Sequence, residues 1–169
     1  MRHSSTRRLT AAAAIGGLYA ALSLLGGAFG ISYGPIQCRF AEALCVLPFL
    51  MPETAWGLAV GCLIANILSP YGLLDIAVGS LATLLSALIT RQCKNKYLAP
   101  LPPVLLNGLL VGGLLAFEQA GFSGAFWKAF WFNGCSVTIG EAIACYGLGL
   151  LLLWKLEQSA FFKNLPENR

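Results

Sequence analysis

Residues 9–29 read "LTAAAAIGGLYAALSLLGGAF", a run without a single charge. An α-helix rises about 1.5 Å per residue, so about 20 apolar residues span the roughly 30 Å hydrocarbon core of a bilayer. Five further apolar runs follow, at residues 40–51, 54–68, 73–91, 104–117 and 130–156. The segments between them, "GISYGP", "MPE", "SPYG", "KNKYLAPLPP" and "EQAGFSG", are rich in the Gly and Pro that mark turns. The expectation is one all-α domain over residues 1–169, an integral membrane bundle of six transmembrane helices. The second and third runs are the shortest, and Pro48 and Pro52 crowd their junction, which leaves five spans as the alternative.

Composition agrees. The chain is 57% hydrophobic and 11% charged, against about 25% charged residues in a soluble domain. So few charges cannot cover a water-facing surface. The first run is too long, and followed by too many others, for a cleaved signal peptide. Lys and Arg then set orientation. With six spans, Arg2, Arg7, Arg8, Arg91, Lys94, Lys96, Lys155, Lys163 and Arg169 fall on one side, and Arg39 and Lys128 on the other. Both termini are therefore expected in the cytoplasm. The net charge of +4 is split among tails and loops, so it does not suggest nucleic acid. The six cysteines show no metal-ligand spacing and sit mostly in apolar runs, where cysteine behaves as a small hydrophobe.

Several chemistries are excluded. The sole histidine is His3, in the tail, so a histidine-dependent membrane protease has no base or ligand set. No phosphate-binding loop is present, so the chain cannot be its own ATPase. No cofactor or metal is expected, and an enzyme is unsupported. A carrier, a channel or the binding subunit of a larger machine remains.

Polar residues inside such segments call for an explanation, because a charge at the centre of a span costs about 2.5–3.5 kcal/mol on insertion scales. Gln37, Arg39 and Glu42 open the second run; Asn66 lies near the end of the third; Asp75 starts the fourth; Asn107 is in the fifth and Glu118 ends it; Asn133 and Glu141 are in the sixth. Arg39 and Glu42, three apart, share a helical face and can pair with each other. The pair either anchors a helix end at the interface or lines a ligand pocket formed with Gln37, Asn66, Asp75 and Glu118 at the outer mouth. The first run also carries two stripes of small residues at a spacing of four, Ala12, Gly16, Ala20 and Ala13, Gly17, Ala21. Such a stripe lets backbones approach closely, within one chain or between subunits.

"YGPIQCRFAEALCVLPFL" (33–50), "GLAVGCLIANILSPYGLLDIAVGSLATLLSALITR" (57–91) and "LAPLPPVLLNGLLVG" (98–112) resemble the QueT family, substrate-binding components of energy-coupling factor transporters assigned to uptake of queuosine precursors. The resemblance runs from about Tyr19 to Gly113. It is weaker over "WFNGCSVTIGEAIACYGLG" (131–149), and "MPETAWG" is atypical. It implies six helices with both termini inside, placed in a bacterial plasma membrane. It also implies partners, a membrane coupling protein and two cytoplasmic ATPases, which would supply the missing energy source. Ala13, Gly17 and Ala21 are the positions that would dock the coupling protein, with Gly17 replacing a more usual Ala. The segment before the second helix would form a lid, its turn shaped by Gly34 and Pro35. The implied ligand is a deazaguanine, with Gln37, Arg39, Glu42, Asn66, Asp75, Asn107, Glu118 and Glu141 as candidate polar contacts. Among these, Glu42 is the leading candidate to accept hydrogen bonds from the base. Tyr33 and Trp131 are candidates for stacking, with Tyr71, Phe122 and Trp127 beside them. Two other functions stay open: binding of another vitamin-like molecule in the same kind of importer, and a stand-alone ion-coupled carrier.

Overall fold

The computed structural model describes residues 2–30, 39–67 and 72–159, and side chains from residue 6 onward within those ranges. All regular structure among them is helical: α1 (Arg2–Ala28), a 3₁₀ helix (Phe40–Phe49), α2 (Thr54–Ile67), α3 (Gly72–Thr90), α4 (Leu101–Ala120), α5 (Phe126–Ala142), a π-helical stretch (Ile143–Gly149) and α6 (Leu150–Gln158). The last three run on as one 33-residue rod. Among the described residues four helices are long and apolar enough to cross a membrane; the 3₁₀ helix and α2 are shorter apolar helices.

The helices pack in chain order, α1 on α2, α2 on α3, α3 on α4 and α4 on α5. The 3₁₀ helix sits at the centre, against α1, α2, α3, α6 and the π stretch, with Ala41–Phe49 buried on every side. Its form suits its length. Ten residues reach roughly 20 Å at the 3₁₀ rise of about 2.0 Å per residue, but only about 15 Å as α-helix. The stretched, narrow form carries a short apolar segment through most of the bundle's depth. Pro48, which lacks a donor, sits near its end.

Glycines set the crossings. A Cβ built on Gly57 would collide with the Ala12 carbonyl, and one on Gly61 with that of Gly16, so α1 and α2 meet backbone to backbone. Gly112 meets Gly134 in the same way where α4 crosses α5. A Cβ on Gly149, in the π stretch, would lie 2.9 Å from Val46 of the 3₁₀ helix. The Ala12–Gly16–Ala20 stripe is thus internal packing. Ala13, Gly17 and Ala21 face outward, with nothing within 4 Å of a Cβ placed on Gly17.

The helices differ from the sequence reading in several places, and α1 starts at Arg2 rather than Leu9. The second segment is 3₁₀ rather than α. α4 starts at Leu101 rather than Val104, because Pro102 and Pro103 occupy its first turn, where a missing N–H costs nothing. The last rod starts at Phe126 rather than Phe130. Lys96, in the α3–α4 connection, is ion-paired with Glu157 of α6 at 2.9 Å, which ties those parts together at one end of the bundle. Large apolar side chains such as Leu73, Leu109 and Trp127 point outward, while Glu42, Asn66, Asp75, Asn107 and Glu141 are buried. This is the polarity of a helical bundle solvated by lipid.

Candidate functional site

Glu42 lies in the first turn of the 3₁₀ helix and is 1% exposed. Tyr19 of α1 donates its hydroxyl to Oε1. The Cys45 thiol, one 3₁₀ turn on, donates to Oε2 at 2.9 Å. The Cys145 thiol reaches the Glu42 carbonyl at 3.3 Å. Both carboxylate oxygens are therefore engaged by the protein itself. Arg39 precedes the helix in extended conformation and is partly buried. Its charge faces Tyr19, Asp75, Cys62 and Glu42, but no carboxylate among the described residues stands within the 4.0 Å of a salt bridge to it. The expected Arg39–Glu42 pair is corrected: Glu42 turns into the core toward Tyr19 and Cys45, and no surface anchor forms.

A narrow cavity is lined by Arg39, Glu42, Gly79, Thr83, Asn107, Val111, Val137 and Glu141. The 3₁₀ helix, α3, α4 and α5 each contribute to its wall. Asn107 and Glu141 are both 3% exposed. Asn107 Nδ2 makes no hydrogen bond of normal geometry, although the amide faces the Glu141 carboxylate. Besides that amide, Glu141 receives a weak contact from the Cys145 thiol at 3.8 Å from Oε2. The cavity thus holds a buried carboxylate and a buried amide donor that the fold leaves nearly unused. Unmade hydrogen bonds of that kind cost about 1–3 kcal/mol each unless something fills them.

A second polar group adjoins it. Asn66 Nδ2 donates to the Asp75 carbonyl at 3.1 Å, in a space kept open by Gly79, where a Cβ would lie 2.5 Å from that amide. Thr83 donates to the Cys62 sulfur at 3.2 Å. Asp75 is buried, and its Oδ2 has no partner.

Of the residues singled out by sequence, the structure brings Arg39, Glu42, Asn107 and Glu141 to one cavity and sets Asn66 and Asp75 beside it. Glu118 is exposed at the end of α4, within electrostatic reach of Asp75 but off the cavity wall. Trp131 is 66% exposed and stacks edge-on with Phe130 on the outside of α5, so it does not line the cavity. Phe122 and Trp127 are exposed too. Tyr33, Gln37 and Tyr71, with the lid turn at Gly34 and Pro35, lie outside the described residues. Sequence reasoning passed over Tyr19, Cys45, Gly79, Thr83, Val111, Val137 and Cys145. The spacing held a signal for two of them: Cys45 is three residues from Glu42, and Cys145 four from Glu141.

An apolar exterior around buried polar side chains is that of a multi-pass membrane protein. The QueT transporter family matches residues 9–158, and the chain belongs to that family. It is 36% identical over 101 residues to a protein of Lactococcus lactis subsp. cremoris (strain MG1363) described as "Queuosine precursor transporter QueT". The match covers 57% of this chain and 59% of that relative. No solved structure matches.

Proposed function

We propose that the chain is the substrate-binding subunit of an energy-coupling factor importer that takes up a queuosine precursor across a bacterial plasma membrane. The chain is not itself an enzyme in this reading. It crosses the membrane six times, with the 3₁₀ helix and α2 as the two short passes, and both termini are cytoplasmic. Six passes are supported by the central burial of the 3₁₀ helix, and the orientation by the distribution of Lys and Arg. The observation that carries the proposal is the cavity where Glu141 and Asn107 lie buried with unused hydrogen-bonding capacity. A deazaguanine presents adjacent N–H groups and a carbonyl on one flat edge, which such a cavity can satisfy. Asp75 Oδ2, buried without a partner beside the cavity, suits the cation of an aminomethyl derivative.

The partners are a membrane coupling protein and two cytoplasmic ATPases. The docking stripe is Ala13, Gly17 and Ala21, which the chain's own packing leaves uncovered while the parallel stripe is consumed by α2. The test is transport by proteoliposomes containing this chain alone or with its coupling protein and ATPases. Concentrative uptake of 7-aminomethyl-7-deazaguanine should require all components and ATP. Uptake by the chain alone, driven by an ion gradient, would make it a stand-alone carrier. Mass spectrometry of the small molecule that co-purifies with the chain should find a deazaguanine; another vitamin-like compound would replace the substrate and leave the subunit assignment standing.

A further inference from the structure

The cavity contains two buried glutamates, and they are not equivalent. Glu42 has both oxygens committed, one to the Tyr19 hydroxyl and one to the Cys45 thiol. Reading a ligand with it would mean breaking those bonds. Glu141 has the distant Cys145 thiol and the Asn107 amide of the neighbouring helix beside it, and that amide nitrogen makes no hydrogen bond of normal geometry. Both residues are 3% exposed, so water does not substitute freely for the missing partners. Arg39 is the other donor on the wall, but its charge is shared with Tyr19, Asp75 and Glu42.

We propose that Glu141 and Asn107 form the specificity-determining pair, and that they read a planar edge with two neighbouring N–H donors followed by a carbonyl, as in a 2-aminopyrimidin-4-one ring. This rests on the substrate class proposed above. Glu141 accepts the ring N–H and one amino N–H in parallel, the bidentate geometry that a carboxylate offers to a flat pair of donors. Asn107 Nδ2 donates to the carbonyl. Thr83, Val111 and Val137 line the remaining wall. Glu42 acts as a positioning residue, holding the first turn of the 3₁₀ helix and the wall it forms.

The test uses two probes that differ by one amino group, 7-aminomethyl-7-deazaguanine and its 2-desamino analogue, titrated calorimetrically into the purified chain. The wild type should prefer the amino compound at least tenfold, because the analogue leaves one Glu141 oxygen unpaired in a closed site. Glu141→Gln should shrink that preference below about threefold, since Gln turns a donor toward the ring and keeps only one acceptor. Asn107→Leu should weaken both probes by a similar factor of at least ten, because the carbonyl is common to them. If Glu141→Gln fails to fold, the wild-type preference and the Asn107→Leu result still decide. Equal binding of the two probes by the wild type, or a preference that survives Glu141→Gln, would overturn the inference and leave the importer reading intact. Binding of neither probe by the wild type would overturn the inference together with the substrate class on which it rests.

Discussion

A buried carboxylate in a membrane bundle is stable only if its surroundings keep supplying donors. Glu42 shows how this chain manages it. Its donors come from a tyrosine on α1 and from thiols on its own helix and on the π stretch, so one residue ties three elements together. Tyr19→Phe removes one of those donors and leaves the oxygen buried. The expected cost is about 1–3 kcal/mol of stability. Glu42→Gln keeps one acceptor for Tyr19 but offers Cys45 an N–H, for a similar loss. The two changes act on one contact, so their effects should be less than additive. Unfolding titrations of the two single variants and the double variant measure this coupling, and simple additivity would show that the Tyr19–Glu42 contact contributes little.

At the scale of elements, hydropathy made the helices legible and left their form hidden. Runs of apolar residues located α2, α3 and the end of α1 to within a few residues, because a span is a property of local composition. Nothing local distinguishes a 3₁₀ helix from an α-helix in "FAEALCVLPF": what selects the stretched form is burial on all sides among helices that the sequence shows only one at a time. The same limit governed the site. Glu42 and Glu141 stood out as charges in apolar runs, but of the two donors to the Glu42 carboxylate one, Tyr19, is distant in sequence, and so the more fully engaged carboxylate could not be told from the other. Trp131 attracted notice for its ring, and only the packing of α5 shows that it points away from the cavity. The glycines divide by the same logic. Gly57→Ala forces a methyl into the Ala12 backbone and must push α1 from α2, at a cost of about 1–3 kcal/mol as in other overpacked contacts. Gly17→Ala places the same methyl in open space and should leave thermal stability nearly unchanged. Melting curves of the two variants in one detergent compare them directly; equal losses would mean that α1 does not pack on α2 as described.

For the whole molecule, the proposed importer would give the two faces of α1 different tasks. One face is buried, carrying Ala12, Gly16, Ala20 and the Tyr19 hydroxyl that holds Glu42; the other presents Ala13, Gly17 and Ala21 to the outside. The exposed stripe is small although larger apolar side chains would fill a lipid-facing surface equally well. Its smoothness suits a partner helix that approaches closely. Gly17→Leu separates the tasks. The new side chain meets nothing inside this chain, so folding and ligand affinity should stay within about twofold of wild type. A coupling protein seated on the stripe would be displaced by the width of the Leu side chain, and ATP-driven uptake in proteoliposomes should fall at least tenfold. Parallel measurement of ligand affinity by calorimetry and of uptake by filtration tells the outcomes apart. Loss of both would place the stripe within the chain's own packing, and loss of neither would move the docking surface to another exposed face of the bundle.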